Sequence, residues 1–345
     1  MKTIYSPRHA GHAGNVELTA GRIVPAFEMP SRAEFIRSRA EEVGLGPILP
    51  PDEFGLDTAR RVHDPAYVDF MPTVWERWIA AGFDGTALPY AWPTRGLRGD
   101  VVPDAIEAQL GHYSFDAGAG FVAGTWDAIR SSHDVALTAA GLVSGGERSA
   151  FALCRPPGHH AGRAFMGGYC YLNNAAIAAQ WLLDNGAKKV SILDVDYHHG
   201  NGTQEIFYAR GDVQVLNLHG DPKMEYPYFL GYADERGTGE GEGFNHNYPL
   251  PWGTGWDGWG SALVDACLEL VAYGPDVVVV SLGVDTFERD PISKFKLVTE
   301  DYPRIGRRIA ALGLPTLFVM EGGYAVEEIG VNAVGVLTGF EEGNT

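Results

Sequence analysis

The second half of the chain alternates between short, nearly continuous apolar runs and amphipathic stretches. Apolar runs rich in β-branched residues that end at glycine or acidic positions are typical of strands buried on both faces of a sheet. The runs with this pattern are 149–154, 189–196, 213–219, 276–283 and 315–322. Helices are predicted between them at 174–183 and 259–271, and from about 300 to 312. This alternation predicts an α/β fold, an open and mostly parallel sheet flanked by helices, in a single domain over residues 1–345.

Two segments nearer the start of the chain carry separate signals. Ser31 and Glu34 have the spacing of a capping box, which predicts a helix that begins there and ends near Gly44. The stretch from about 82 to 120 is rich in proline and glycine and shows only short hints of regular structure. Insertions of this length within a domain are usually functional or disordered. Its aromatic residues favour an ordered lid or contact arm, and a plain surface loop is the alternative.

Composition narrows the class of partner. The chain has 44 acidic and 26 basic residues, a formal net charge of −18, and 45% hydrophobic residues. This hydrophobic content excludes a disordered acidic protein, and the negative charge argues against nucleic acid and is compatible with a cationic substrate. No apolar run approaches the ~18 residues of a membrane span, and the first residues lack the apolar core of a signal peptide. Three cysteines make no disulfide framework, so a cytoplasmic protein without a membrane partner is expected.

The residues that follow the predicted strands are rich in acids, imidazoles and hydroxyls. Arg155-Pro-Pro-Gly-His159-His160 follows the first strand, and Asp194-Val-Asp196-Tyr-His198 closes the second. Asp285 and Tyr324 follow the two strands nearest the end of the chain. Ligands of open α/β sheets bind beyond the carboxyl ends of the strands. We therefore expect these side chains to meet at one rim of the sheet.

A metal site is the simplest interpretation of the acidic cluster. If the strand continued, Asp194, Asp196 and His198 would lie on one face, because strand side chains alternate. Two carboxylates and an imidazole in one place favour a divalent cation, and Asp285 could join them. An Asp₂His set leaves one coordination position open, as in catalytic zinc sites. The alternative is a hydrogen-bonded turn with exposed acids.

The remaining candidates are weaker when each is taken alone. Beside a metal site, His159 and His160 are suited to proton transfer, although adjacent histidines can equally be surface residues. The hydroxyl of Tyr324 could stabilise an oxyanion, or the residue could be an ordinary loop aromatic. Gly168 with Tyr169, and also Tyr226, could form the walls of a channel for an alkyl chain, or could simply pack.

Taken together, these motifs resemble the arginase–deacetylase superfamily, and specifically the histone-deacetylase-like amidohydrolases. The matching stretches are VHDPAYVDF (62–70), RPPGHHA (155–161), GGYCYLNNAAIAA (167–179), ILDVDYHHGNGTQEIFY (192–208), VSLGVDTFERDP (280–291) and MEGGY (320–324). Within that superfamily the chain looks most similar to the bacterial acetylpolyamine amidohydrolases. The long insertion before residue 120 and the segment LHGDPKMEYPYFLGYADE (218–235) support this subgroup.

The resemblance implies the arginase/deacetylase fold and assigns a role to each candidate. It implies one zinc ion per chain, with ferrous iron also tolerated, on Asp196, His198 and Asp285. It implies catalysis by His159, His160 and Tyr324. It also implies a structural potassium ion. The residues implied around that ion and the histidines are Asp194, Asn201, Asn217 and Leu218, and Asn201 stands where many histone deacetylases have aspartate.

For substrate binding, the resemblance implies Gly168, Tyr169 and Tyr226 in the channel, with the insertion forming a homodimer and narrowing the mouth. The glutamate that meets the distal ammonium in that subgroup aligns with Gly118, so the nearest acid is Asp116. Glu107 matches another acid of the family.

The expected function is metal-dependent hydrolysis of small acetylated amines, such as acetylputrescine and acetylcadaverine, to the free amine and acetate. A protein-lysine deacetylase with the same chemistry is the first alternative. A two-manganese arginase-like enzyme is disfavoured, because position 200 is Gly where a D-x-H-x-D motif needs an acid. A binding module without activity would be expected to lack one of the ligands or the tyrosine.

Overall fold

A parallel sheet of eight strands forms the centre of the protein. The computed structural model describes residues 1–19 and 21–343. The strands are β1 (Lys2–Ile4), β2 (Val16–Thr19), β3 (Arg22–Pro25), β4 (Ile48–Leu49), β5 (Ser149–Ala152), β6 (Val190–Asp194), β7 (Val213–Gly220), β8 (Asn245–Leu250), β9 (Val277–Leu282) and β10 (Thr316–Met320). Eight of these ten strands form the sheet, in the order β4-β1-β5-β10-β9-β6-β7-β8, and every neighbouring pair in it is parallel. β2 and β3 form a separate antiparallel hairpin. The predicted α/β fold is confirmed.

Helices cover both faces of this sheet. They are α1 (Ser31–Glu42), α2 (Asp57–Val62), α3 (Pro65–Phe70), α4 (Val74–Ala80), α5 (Ile106–His112), α6 (Thr125–Ser144), α7 (Asn174–Asp184), α8 (Asn201–Phe207), α9 (Trp256–Tyr273), α10 (Tyr302–Ala310) and α11 (Ile329–Glu342). Successive strand residues enter opposite cores: Ile192 packs with the α6 and α7 side, and Leu193 packs with α1, α9, α10 and α11. The central strands are buried on both sides for this reason, which explains their continuous apolar sequence.

Four of the five predicted strands end earlier in the structure than the apolar pattern suggested, and β7 ends one residue later. β6 ends at Asp194, β9 at Leu282 and β10 at Met320. Asp196 and His198 therefore belong to the loop after β6, and the assumption that they alternate along a strand with Asp194 was wrong. The loop backbone turns here because its N–H groups donate to side-chain carboxylates: Asp196 N to Asp194 Oδ1 at 3.1 Å, and His198 N to Asp196 Oδ1 at 2.9 Å.

The capping box at Ser31 was also wrong, although the helix itself is present. Ser31 is already helical, Pro30 precedes it, and no side chain caps this end. Glu34 accepts hydrogen bonds from the Tyr5 hydroxyl at 2.5 Å and from Arg37 Nε at 3.1 Å instead of reaching the helix start. The side chain of Glu34 therefore binds Tyr5 and Arg37 and does not cap the start of the helix.

The segment at about 82–120 is anchored at both ends. Ala87 and Phe121 exchange two backbone hydrogen bonds of 2.9 and 3.1 Å, and both residues are buried. α5 lies between them and buries Ile106 and Leu110 against α4. Among residues 1–19 and 21–343, the structure has no helix long and apolar enough to cross a bilayer.

Candidate active site

Four neighbouring strands deliver the candidate residues to one edge of the sheet. In the order β5-β10-β9-β6, each strand is followed by a loop that carries part of the site. These loops bring His159 and His160 from β5, Tyr324 from β10, Asp285 from β9, and Asp196 and His198 from β6. The expectation that these side chains meet at the carboxyl ends of parallel strands is therefore confirmed by the topology.

Asp196, His198 and Asp285 form a compact and buried group of side chains that could hold a metal ion. Their ligand atoms all lie within 4.8 Å of one another, and His198 Nδ1 is 3.0 Å from Asp285 Oδ2. Backbone N–H groups orient the carboxylates: Gly322 N donates to Asp196 Oδ2 and Tyr197 N to Asp285 Oδ1, both at 2.8 Å. A Cβ atom at Gly322 would lie only 2.5 and 2.6 Å from the two carboxylates, so the close approach requires glycine.

The electrostatics of this group indicate that a cation belongs there. Burial and the neighbouring Asp196 carboxylate raise the pKa of Asp285 to about 7. Against the effect of burial, hydrogen bonds to Asp196 and Asp285 raise the pKa of His198 well above its usual value. Without a metal, the group must hold protons to offset two buried charges. A divalent ion would replace those protons, and the two carboxylates and one imidazole are a donor set that suits zinc or ferrous iron.

Asp194 lies beside this group rather than in it. Its Oδ2 is 3.0 Å from His159 Nδ1, so it pairs with the histidine. Asn217 is its neighbour in the register of β6 and β7, and Asn217 Oδ1 accepts a hydrogen bond from Gly200 N at 3.2 Å. The next residue of β7 is Leu218, which is fully buried. The residues expected around a second cation therefore lie close together.

The two adjacent histidines have opposite electrostatic surroundings. His160 Nδ1 lies 2.6 Å from Asn201 Oδ1. Burial lowers the pKa of His160 well below its usual value, and the positive charges of His159 and His198 lower it further. Burial also acts on His159, but Asp196 and Asp194 overcome it and raise the pKa of His159 to about 10. The surroundings therefore shift the pKa values of the two rings in opposite directions, His160 towards the neutral imidazole and His159 towards the imidazolium.

Tyr324 is held through both its backbone and its ring. Its backbone N–H donates to Asp290 Oδ2 at 2.7 Å, and the Arg32 guanidinium lies 4.7 Å from the centre of its ring. Arg32 also donates to Gly323 O and to Glu321 O, both at 2.6 Å. Burial raises the pKa of the Tyr324 phenol, so the hydroxyl keeps its proton and can act as a donor.

A cavity of about 500 Å³ opens onto these groups. It is lined by Glu17, Leu18, Thr19, Trp92, Phe115, Asp116, Ala117, Gly118, His160, Gly168, Tyr169, His198, Glu225, Tyr226, Tyr228, Ile292 and Tyr324. Gly168 has φ +51°, and a Cβ atom there would lie 2.4 Å from His160 Cδ2, so only glycine allows the backbone to lie this close to the histidine. Tyr169 and Tyr226 form aromatic walls of the cavity, as the sequence suggested.

The histone deacetylase domain matches residues 26–339. The chain belongs to the histone deacetylase family. It is 59% identical to acetylpolyamine amidohydrolase 1 of Pseudomonas aeruginosa over 99% of both chains. It is 51% identical to the acetylpolyamine amidohydrolase of Mycoplana ramosa, over 98% of this chain and 99% of that protein. The crystal structure of the acetylpolyamine aminohydrolase from Burkholderia pseudomallei superimposes with a TM-score of 0.94 at 40% identity, covering 99% of this chain and 98% of that one.

The histone deacetylase family is metal-dependent, which agrees with the buried donor group. Of the two acids expected near the substrate, Asp116 lines the cavity and Glu107 does not. The Asp116 carboxylate accepts hydrogen bonds from Gly118 N at 2.9 Å, Gly168 N at 3.2 Å and the Tyr226 hydroxyl at 2.8 Å. Glu107 lies in the first turn of α5 and is not among the cavity-lining residues, because that helix packs against α4.

Sequence reasoning missed several residues that shape the site of this histone deacetylase family member. The Glu321 carboxylate accepts from Gly158 N at 2.6 Å and His159 N at 3.1 Å, so it holds the turn that carries both histidines. The position of Glu321 just before Gly-Gly-Tyr324 was the available signal. Glu28 joins Arg32 and Arg155 through contacts of 2.8 and 2.7 Å, and no local pattern marks that triad.

Proposed function

We propose that this protein hydrolyses acetylated polyamines and diamines to the free amine and acetate, with one zinc ion held by Asp196, His198 and Asp285. The observation that carries the proposal is that His198, which belongs to this donor group, lines the same cavity as His160 and Tyr324. Full-length similarity to proteins named acetylpolyamine amidohydrolase supports the substrate class.

The bound metal would act as a Lewis acid that polarises the acetamide carbonyl and lowers the pKa of water. His160 is the general base of the proposal. Because Asn201 Oδ1 faces Nδ1, that nitrogen carries the hydrogen and Nε2 keeps a free lone pair. With its pKa lowered by burial, the His160 ring is unprotonated at neutral pH and can take a proton from water.

Tyr324 and His159 complete the proposed set of catalytic residues. The protonated phenol of Tyr324 donates a hydrogen bond to the oxyanion that forms when the carbonyl is attacked. His159, whose Nδ1 pairs with Asp194 Oδ2 at 3.0 Å, works with His160: the histidine pair returns the proton taken from water to the leaving nitrogen, so that the C–N bond breaks and the amine departs. The carbonyl of Gly168 would accept a hydrogen bond from the substrate amide, and Tyr169 and Tyr226 would enclose its alkyl chain.

Two further parts of the proposal rest on the surroundings of the site. A potassium ion would bind near Asp194, Asn217 and Leu218, and would support the loop after β6. A second copy of the chain would pack on the segment at 82–120, where Tyr90 and Leu97 are 73% and 65% exposed. Such a homodimer would further narrow the mouth and keep protein substrates away from the metal.

The test is a side-by-side measurement of kcat/KM for the zinc-loaded protein on N-acetylputrescine, N-acetylcadaverine and an acetyl-lysine peptide. The proposal expects a clear preference for the two acetyldiamines. A preference for the peptide would overturn the substrate assignment and identify a protein deacetylase. Removal of the metal by a chelator should abolish turnover, and added zinc should restore it.

A further inference from the structure

The segment that carries Tyr324 is intrinsically permissive, because two glycines precede the tyrosine. Gly323 has φ +133°, a conformation that glycine adopts far more readily than other residues. The side chain of Tyr324 lines the cavity, and its ring contacts are those with Arg32 and with Tyr169, whose ring centre lies 5.6 Å away. Its backbone N–H is hydrogen-bonded. The position of the hydroxyl therefore depends on how the backbone of this segment is fixed.

Asp290 fixes this backbone from the neighbouring loop. Its Oδ2 accepts from the N–H groups of Tyr324 at 2.7 Å and Ala325 at 3.3 Å. Its Oδ1 accepts from Ile292 N at 3.1 Å, and Ile292 also lines the cavity. The residue is buried, with 7% of its surface exposed. A buried carboxylate that accepts from three backbone N–H groups makes charge-assisted hydrogen bonds, which are stronger than those between neutral groups.

These bonds also tie Tyr324 to the loop that carries a proposed metal ligand. Asp290 and Asp285 both follow β9, whereas Tyr324 follows β10. Val284 N donates to Gly322 O at 2.9 Å, so the two loops are joined on both sides of Asp285. A donor to an oxyanion must lie about 2.7–3.1 Å from the charge, and a displacement of about 1 Å can cost 10²-fold in rate. The joined loops therefore set a distance on which catalysis depends.

We propose that Asp290 is a positioning residue, which holds the Tyr324 hydroxyl at the place where the oxyanion forms. The inference rests on the proposed function and adds a residue to its mechanism. Asp290 is not among the residues that line the cavity, so its effect on the reaction passes through Tyr324. It also gives a role to the end of the matched stretch 280–291, in which only Asp285 had one.

The test is a double-mutant cycle between Asp290→Asn and Tyr324→Phe, with kcat and KM for N-acetylputrescine measured in all four proteins. The amide has one oxygen, so at least one of the three N–H groups loses its acceptor. In the presence of Tyr324, Asp290→Asn should lower kcat by about 10- to 100-fold and change KM by less than about threefold. In Tyr324→Phe, the same substitution should lower kcat by less than about threefold, because no hydroxyl remains to be positioned.

Asp276→Asn is the matched control. Asp276 Oδ2 also accepts from two backbone N–H groups, those of Lys188 at 2.6 Å and Lys189 at 3.1 Å, but it precedes β9 and lies at the other end of the strand. This substitution should leave kcat unchanged in both backgrounds. Bound zinc is measured in every protein, and an equal content in Asp290→Asn and wild type would exclude an effect through Asp285.

An equal loss of kcat in both backgrounds would overturn the proposal, because it would show that Asp290 supports the fold rather than the hydroxyl. Loss of zinc in Asp290→Asn, or an unchanged kcat, would overturn it as well. If Asp290→Asn does not fold, Asp290→Glu keeps the charge and carries the same cycle. A wild-type protein with no turnover of any acetylated substrate would instead refute the proposed function itself.

Discussion

The floor and the mouth of the cavity are built in different ways. The floor consists of the loops after β5, β6, β9 and β10, and its polar groups are buried and held by backbone N–H groups or by one another. The mouth consists of the β2–β3 hairpin, the segment at 82–120 and the loop after β7. It exposes large apolar side chains, including Ile23 at 70%, Tyr90 at 73% and Phe229 at 89%.

This difference separates the chemistry from the choice of substrate. A metal site needs several ligands held at fixed distances, which adjacent strand ends in a buried sheet provide. Selection of a substrate needs only shape and charge at a distance from the reacting atoms, which peripheral loops can provide. Changes in the floor should therefore abolish turnover of every acetamide, and changes in the mouth should alter which acetamide is preferred.

The largest loss of activity is expected when one of the proposed metal ligands is replaced. Asp285→Asn removes one charge from the donor group, and metal content measured after dialysis should fall with activity. The loss in kcat should exceed about 100-fold, since even partners outside the ligand set cost 10–100-fold in such sites. A variant that retains both metal and activity would show that Asp285 is not a ligand.

The next largest loss of activity is expected when the hydroxyl that would donate to the oxyanion is removed. Tyr324→Phe should lower kcat by about 10²- to 10³-fold, because a hydrogen-bond donor to developing charge is removed. KM and metal content should change little, since the ring still packs beneath Arg32. Near-wild-type kcat in this variant would remove Tyr324 from the mechanism.

A third prediction concerns the charged triad that supports the floor. Burial opposes ionisation of Glu28, but Arg155 and Arg32 overcome it and lower the pKa of Glu28 to about 2. Because the pKa of Glu28 in the folded protein is below its ordinary value of 4.5, the ionised carboxylate stabilises the folded state. This stabilisation is complete above pH 4.5 and is lost as the pH falls towards 2. Glu28→Gln should therefore reduce the free energy of unfolding by ~3 kcal/mol at pH 7.

The measurement is urea denaturation of Glu28→Gln and wild type across pH 2 to 7, with exposed Glu53→Gln as the control. The difference between wild type and Glu28→Gln should close at the acid end of that range. A difference that stays constant with pH would mean that the substitution acts through packing rather than through the lost charge.

The smallest effect is expected at the mouth. Phe229→Ser alters a side chain that is 89% exposed, so the free energy of unfolding should change by less than about 0.5 kcal/mol. The kcat for N-acetylputrescine should stay within about threefold of wild type. The contrasting variant is Phe318→Ala, in a fully buried strand position, which should cost about 3–5 kcal/mol. A large loss of kcat in Phe229→Ser would contradict the separation of floor and mouth.

The floor was predictable from the sequence because its signals are local. Buried strands such as β9 have continuous apolar sequences, and the acids and histidines follow them within a few residues. Asp196 and His198 were wrongly placed on the strand because an apolar pattern does not mark the residue at which a strand ends. α6 carried no recognisable period, since it is buried on most sides and contains buried Ser131, His133 and Asp134.

The mouth and the supports of the floor were not predictable, because they depend on contacts between distant parts of the chain. Glu17 meets Tyr169 across 152 residues, and Glu28 meets Arg155 across 127. Neither glutamate stands in a pattern that differs from an ordinary surface acid. Asp116 was correctly associated with the cavity, but only its three donors reveal that it holds Gly168 and Tyr226.

The place of β10 in the sheet also has a consequence for how the molecule is assembled. β10 follows all the other strands in the chain, yet it lies between β5 and β9 and pairs with residues as distant as Ser149. During synthesis, the centre of the sheet cannot close until this strand has left the ribosome. Until then, the edges of β5 and β9 that pair with β10 stay unpaired, which slows folding and favours aggregation of the unfinished chain. Assembly of the buried donor group is deferred for the same reason, because Gly322, whose N–H donates to Asp196, follows that last strand.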